Sequence, residues 1–225
     1  MKVLAVGPHP DDVEIGMGGT VLALRAAGHE VVVCDLTNGE PTPIGTPERR
    51  AREAAAAAQV LGVRRITLEM PNRYLTDTVE ARNRVAEVIR EVRPEMLFIP
   101  YWADAHPDHV AAAALCEAAR FYAKLTRTTI PGEPVYPRRV VHYICTHYNL
   151  HIQPSFIMDV TAHIDAKLRA VAAYGSQFGP ERGNEGFFDD LRAWNRYFGG
   201  LIRTGYGEPF VLREEVGLRG LDQFI

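Results

Sequence analysis

His9, Asp11, Asp12 and Glu14 put four ionisable side chains within six positions, directly after the apolar run Val3-Leu4-Ala5-Val6. Taking carboxylates out of water is costly unless a partner compensates them. For one imidazole among several carboxylates, a divalent cation is an efficient partner. The spacing His9-x-x-Asp12 suits a metal site with one nitrogen and one oxygen ligand. A second polar cluster, His106-Pro107-Asp108-His109, follows another apolar run, Met96-Leu97-Phe98-Ile99. Catalytic zinc commonly takes three protein ligands and keeps one position for water. His9, Asp12 and His109 are the candidate set, because His109 opens a helix whose amino terminus favours the neutral imidazole that a metal needs. Asp11, beside a ligand but pointing elsewhere, is either a general base or an outer hydrogen-bond partner of a ligand. His106 could carry a proton or a positive charge toward a developing oxyanion. Asp108 would orient that imidazole, or cap the helix. Glu14 is left open between a partner of a metal ligand and a structural acid.

The elements that must position these residues alternate. Strands are expected over residues 2–6, 31–36, 66–68 and 96–99, with helices over 20–27, 47–61, 85–92 and 110–122 between and after them. The second helix has Thr46 as its cap, Pro47 in its first turn and Gly62 as its stop. Val85, Val88, Ile89 and Val92 recur at helical spacing. Beyond residue 123 the pattern is less regular, with strands over 140–145, 156–159 and 210–212 and helices over 164–174 and 187–202. Strand–helix alternation predicts a Rossmann-like, doubly wound α/β fold, mainly parallel, with strand order 3-2-1-4 plus additions. In that order the loops after strands one and four meet at a topological switch point. That would carry His9, Asp11 and Asp12 to His106, Asp108 and His109.

At 225 residues the chain is expected to form one domain, residues 1–225. A net charge of −3, with no basic block, argues against a nucleic-acid partner. No apolar segment is long enough to span a bilayer, and the sequence starts straight into a strand, so no signal peptide is expected. Cys34, Cys116 and Cys145 lie in apolar contexts and read as free thiols in a reducing cytoplasm. No G-x-G-x-x-G follows the first strand, which disfavours a nucleotide-binding oxidoreductase. A two-metal phosphoesterase would need more ligands.

Pro8-His9-Pro10-Asp11-Asp12-Val13-Glu14-Ile15-Gly16 and His106-Pro107-Asp108-His109 resemble the two signature motifs of the PIG-L/LmbE-like deacetylases. These are zinc-dependent enzymes that remove N-acetyl groups from N-acetylglucosamine-containing small molecules and lipids. Asp35-Leu36-Thr37, Gly45 to Arg50, Met70 to Arg73 and Ala173 to Phe178 resemble the bacillithiol-pathway branch, which deacetylates N-acetylglucosaminyl malate. The resemblance implies one zinc per chain held by His9, Asp12 and His109, with Asp11 as base and His106 at the oxyanion. It implies that Arg50 binds sugar hydroxyls, that His151 falls where family members line the sugar pocket, and that the protein is a homo-oligomer, hexamers included. Loops 39–44 and 122–137 differ from that branch. Free N-acetylglucosamine and chitooligosaccharides therefore stay open as substrates. Tyr101 and Trp102 could stack on a sugar or simply pack.

Overall fold

A computed structural model describes residues 1–184 and 186–220. The first half runs β1 (Lys2–Gly7), α1 (Asp12–Ala26), β2 (Glu30–Thr37), α2 (Pro47–Leu61), β3 (Arg64–Met70), α3 (Val79–Val92), β4 (Met96–Pro100) and α4 (Pro107–Ala123). The second half adds β5 (Arg139–Tyr143), β6 (Phe156–Asp159), α5 (Ile164–Ala172), the single turn α6 (Gly175–Phe178), α7 (Phe187–Leu201) and β7 (Gly207–Val211). The strands form one sheet in the order β3-β2-β1-β4-β5-β7-β6. The first five are parallel, and β7 runs antiparallel to both β5 and β6. This is the expected doubly wound, mainly parallel arrangement, with β5, β7 and β6 as the additions.

The central strands are apolar at successive positions because each of their faces is covered. Leu4 and Val6 of β1 and Leu97 and Ile99 of β4 face one core, with α3 and α4 over it. Val3, Ala5 and Phe98 face the other, with α1 and α5 over that one. The alternation is the two-residue period of a strand. Register pairs Ala5 with Phe98, so the carboxyl ends of β1 and β4 lie side by side.

α1 is the least regular helix. Met17 leaves helical geometry, with φ −148° and ψ 19°. A Cβ at Gly16 would lie 2.4 Å from the Tyr143 ring, and one at Gly19 would lie 2.7 Å from Val160. The Gly16-Met17-Gly18-Gly19 run thus lets α1 lie against β5 and the start of α5. The Tyr143 hydroxyl donates to the Val6 carbonyl at 3.0 Å and ties β5 back to β1.

Several elements differ from the sequence-based expectation: α1 begins at Asp12 rather than 20, α3 begins at Val79 rather than 85, β5 ends at Tyr143 rather than 145, and the helix expected over 164–174 ends at Ala172. β3 begins at Arg64 and ends at Met70, longer than the apolar triplet 66–68. It is an edge strand whose Arg65 turns inward to buried acids, so its polarity hides it. β7 starts at Gly207 rather than 210, because Glu208 is buried against Lys167 at 2.6 Å and also accepts from the amides of Gly19 and Thr20. Both side chains of that ion pair are fully buried. Among the described residues no helix is long and apolar enough to cross a membrane.

Removing one partner of a buried pair leaves an uncompensated charge. Lys167→Met should therefore destabilise the fold by ~3–5 kcal/mol, read as a lower urea midpoint. An unchanged midpoint would show that the two backbone amides alone satisfy Glu208.

Candidate metal centre and active site

The site is built from the turn after β1 and the first turn of α4. The first turn closes tightly: the Asp12 amide donates to the His9 carbonyl at 3.4 Å, and the His9 amide donates to Asp12 Oδ2 at 2.8 Å. Thr37, at the end of β2, holds it from the other side, since both its amide and its hydroxyl donate to the Pro8 carbonyl. Asp11 has φ +128° and ψ −29°, a conformation that non-glycine residues rarely adopt and that costs on the order of 1–3 kcal/mol. Its side chain makes no cap to α1; it is turned into the site instead.

Asp12 uses both carboxylate oxygens on imidazoles. Oδ2 lies 3.2 Å from His9 Nδ1, and Oδ1 lies 3.3 Å from His109 Nε2. His9, Asp12 and His109 are all buried and offer ligand atoms within 4.8 Å of one another, so they could hold a metal ion. Two nitrogens and one oxygen suit zinc, iron or cobalt, and their spread is hydrogen-bond spacing, which a shared proton can hold together. Burial pushes the His9 pKa down, but Asp108, Asp12 and Asp11 outweigh it and raise the pKa to about 10. Burial likewise pushes the Asp12 pKa up, and His109 and His9 outweigh it and hold it well below the usual range. A cation bound here takes the place of that proton.

Asp11 and His106 flank the cluster. Burial raises the Asp11 pKa to about 7; Arg50 pulls it down and Asp12 pushes it up. Arg50 Nη2 donates to Asp11 Oδ2 at 2.8 Å and to the Pro10 carbonyl at 2.6 Å, and its guanidinium lies 5.3 Å from the Tyr174 ring centre. The residue expected to meet sugar hydroxyls is thus first of all the fixed cation of Asp11. His106 caps α4, its Nδ1 accepting the Asp108 amide at 3.2 Å. That bond leaves the proton of a neutral ring on Nε2. Burial, with His9 next, lowers the His106 pKa to about 4, so the ring is a neutral donor at pH 7.

Asp108 does not do what the sequence suggested. Its carboxylate faces His9 rather than His106, with Oδ2 3.1 Å from His9 Nε2. It also accepts the amides of Arg73 at 2.7 Å and Leu75 at 3.1 Å. The helix cap is supplied by the His106 ring, which frees Asp108 to bind the loop after β3. Glu14 is a structural acid, receiving Arg65 at 2.5 Å and the Tyr174 hydroxyl at 2.9 Å, while Arg65 also forks onto Asp35.

The cluster opens on a cavity of about 620 Å³. His9, Asp11, Asp12, Arg50, His106 and His109 all reach its surface; His151 does not. His151 is exposed on the segment that leaves the rim toward Pro154, and His147 lines the cavity in its place. The His147 amide and Nδ1 both engage Asp104; Tyr148 and Asn149 still line the cavity, and the chain has left it by 150–151. Tyr101 and Trp102 pack: Trp102 sits between the Arg213 guanidinium and the edge of His142. Sequence reasoning missed Asp104, His147 and an aromatic wall formed by Phe178, Phe187 and Trp194. Asp104 had one readable signal, its place two residues before His106 in the same loop.

Residues 4–120 match the family PIG-L, GlcNAc-PI de-N-acetylase. The diacetylchitobiose deacetylase of Thermococcus kodakarensis is 33% identical over 92% of this chain and 81% of its own length. A Bacillus anthracis protein named probable N-acetyl-alpha-D-glucosaminyl L-malate deacetylase 2 is 30% identical over 78% of this chain and 81% of its own length. The solved structure of the conserved protein TT1542 from Thermus thermophilus superimposes with a TM-score of 0.88 at 39% identity, covering 97% of each chain. Against several other curated relatives, named as deacetylases of 1D-myo-inositol 2-acetamido-2-deoxy-alpha-D-glucopyranoside, the chain spans about half their length.

His9 keeps its proton up to about pH 10 without metal, so a cation has to displace it. Apparent Zn(II) affinity should rise roughly tenfold per pH unit between about pH 6 and about pH 8, and calorimetry in buffers of different ionisation heat should show proton release. His9→Ala should abolish binding. Metal uptake without proton release would remove His9 from the ligand set.

Proposed function

The chain belongs to the PIG-L family of GlcNAc-PI de-N-acetylases, and on that premise we propose that it is a metal-dependent amidohydrolase that removes the N-acetyl group from an N-acetylglucosamine-containing small molecule. The observation that carries this reading is the buried His9, Asp12 and His109 set with the titratable Asp11 beside it, all opening on one cavity. We take zinc as the metal, held by those three side chains, and residues 1–225 as one catalytic domain. The exposed Tyr197 and Leu201 of α7, with Ile202 just after it, support a homo-oligomer.

When bound, the metal supplies Lewis acidity toward the acetyl carbonyl and brings the pKa of water toward ~7. Asp11, ionised, takes a proton from the attacking water as the new carbon–oxygen bond forms. His106 donates its Nε2 proton as a hydrogen bond to the carbonyl oxygen while that atom gains charge. Asp11 then returns its proton to the departing nitrogen as the carbon–nitrogen bond breaks, which leaves acetate and a free amine. Arg50 keeps Asp11 ionised closer to neutrality than burial alone would allow. Asp108 holds His9 and the 73–75 backbone, so it supports the site without touching substrate.

N-acetylglucosaminyl malate is the finer reading of the substrate, supported by the malate-deacetylase relative and by the Arg73 and Arg182 guanidinium groups on the cavity lining. The aromatic wall, with the diacetylchitobiose deacetylase relative, supports a second reading in which another sugar ring occupies that end. Amine release by the metal-loaded protein from N-acetylglucosaminyl malate, diacetylchitobiose and N-acetylglucosamine separates the two. Release from none of the three would sink the functional reading.

Asp11→Asn should keep its metal and lose ~10²–10⁴-fold in kcat. In the wild type kcat/KM should fall as pH drops through the Asp11 pKa, since protonated Asp11 cannot act as base; the cation on neighbouring Asp12 places that limb below the value of about 7 that the side chain has without metal. Arg50→Met should move that limb to higher pH. Undiminished turnover in Asp11→Asn would exclude it as the base.

A further inference from the structure

Asp104 lies between β4 and α4, and its carboxylate is completely buried, yet the mechanism above gives it no role. Its Oδ1 accepts the amides of His106 at 3.1 Å and His147 at 2.9 Å, and lies 3.3 Å from His147 Nδ1. Its Oδ2 lies 2.8 Å from His109 Nδ1. The N–H at that nitrogen is aimed at the Cys145 carbonyl, 3.1 Å away, so the carboxylate contact is one of charge. Oδ2 receives no hydrogen bond of its own. One carboxylate therefore addresses three histidines from two segments. Two follow β4; the third follows β5 and lines the cavity. The rings pack as a group, with centroids 5.0 Å apart for His106 and His109, 5.2 Å for His109 and His147, and 5.4 Å for His106 and His147.

We propose that Asp104 is a positioning residue that fixes the His109 ring for metal binding and at the same time anchors His147 at the cavity rim, so that metal occupancy and the placement of segment 145–149 are linked. An imidazole ligand is held in one tautomer and one orientation when its second nitrogen faces a carboxylate or carbonyl. His109 has both, from Asp104 and Cys145. A cation on His109 Nε2 draws electron density from the ring and strengthens the attraction between Nδ1–H and Asp104 Oδ2. A carboxylate fixed in place by His109 is also fixed in place for the His147 amide on Oδ1, and the Cys145 carbonyl that His109 meets lies two residues before that amide. By linkage, whatever steadies His147 over bound substrate also favours the metal. This rests on the functional reading in taking His109 as a metal ligand.

Asp104→Asn keeps the shape of the side chain and removes its charge. Zn(II) affinity measured by competition with a chelating indicator, well below the melting temperature, should fall ~10–100-fold. His147→Ala, which keeps the amide and loses the ring contact, should raise KM and lower that affinity by less than Asp104→Asn does. In the wild type, adding Zn(II) should slow hydrogen exchange at the His147 amide; this measurement decides the matter if Asp104→Asn does not fold. Wild-type affinity in folded Asp104→Asn, or His147 exchange indifferent to Zn(II), overturns the proposal. A wild-type protein that binds no Zn(II) overturns the functional reading instead.

Discussion

Six carboxylates, those of Asp11, Asp12, Glu14, Asp35, Asp104 and Asp108, are buried near the carboxyl ends of the central strands, and their charge has to be compensated there. Arg65 serves Glu14 and Asp35. Arg50 serves Asp11. Asp108 and Asp104 each take two backbone amides, with one imidazole on Asp108 and two on Asp104. Asp12 has its own turn, the Cys145 thiol and the rings of His9 and His109. It takes one backbone amide where Asp104 and Asp108 take two each, and so it is the place where a cation adds most. Much of the surrounding structure serves this balance: Arg65 sits on an edge strand, Tyr174 closes over Glu14, and Thr37 clamps the turn.

How far the sequence revealed this depends on how local each signal was. The β1–β4 pairing followed from taking the usual doubly wound strand order, in which two apolar strands, each followed by a polar cluster, meet at the switch point. The residues that face one another there were legible for the same reason. The direction of a side chain was not. Asp108 follows His106 by two positions, which invites a pairing, yet the first turn of a helix aims its carboxylate at His9 and the loop after β3. His151 was assigned to the cavity and His147 was not, because nothing in the spacing shows that Asp104 captures residue 147. Such a contact spans 43 positions and leaves no periodic trace.

The motif from Ala173 to Phe178 shows the opposite case, where short stretches carry long-range contacts that only the fold explains. The Tyr174 hydroxyl reaches Glu14. The Ser176 amide and hydroxyl both donate to Glu53 of α2, and Gln177 Nε2 donates to the Thr42 hydroxyl in the loop before it. Arg50, on the same helix as Glu53, is thereby held between this segment and Asp11. The second half of the chain, irregular to read, works as a brace on the helix that carries the cation nearest the proposed base.

The backbone at Asp11 has a further consequence. Its φ of +128° is one that glycine adopts freely and aspartate does not. A glycine there would relax the turn, but it would also delete the partner of the buried Arg50 guanidinium and leave that charge uncompensated. The strain of this peptide unit and the ion pair that its side chain makes are thus one feature. Substitution at position 11 has no neutral outcome: residues other than glycine keep the strained backbone, and residues other than acids leave a cation inside the protein without its counter-charge.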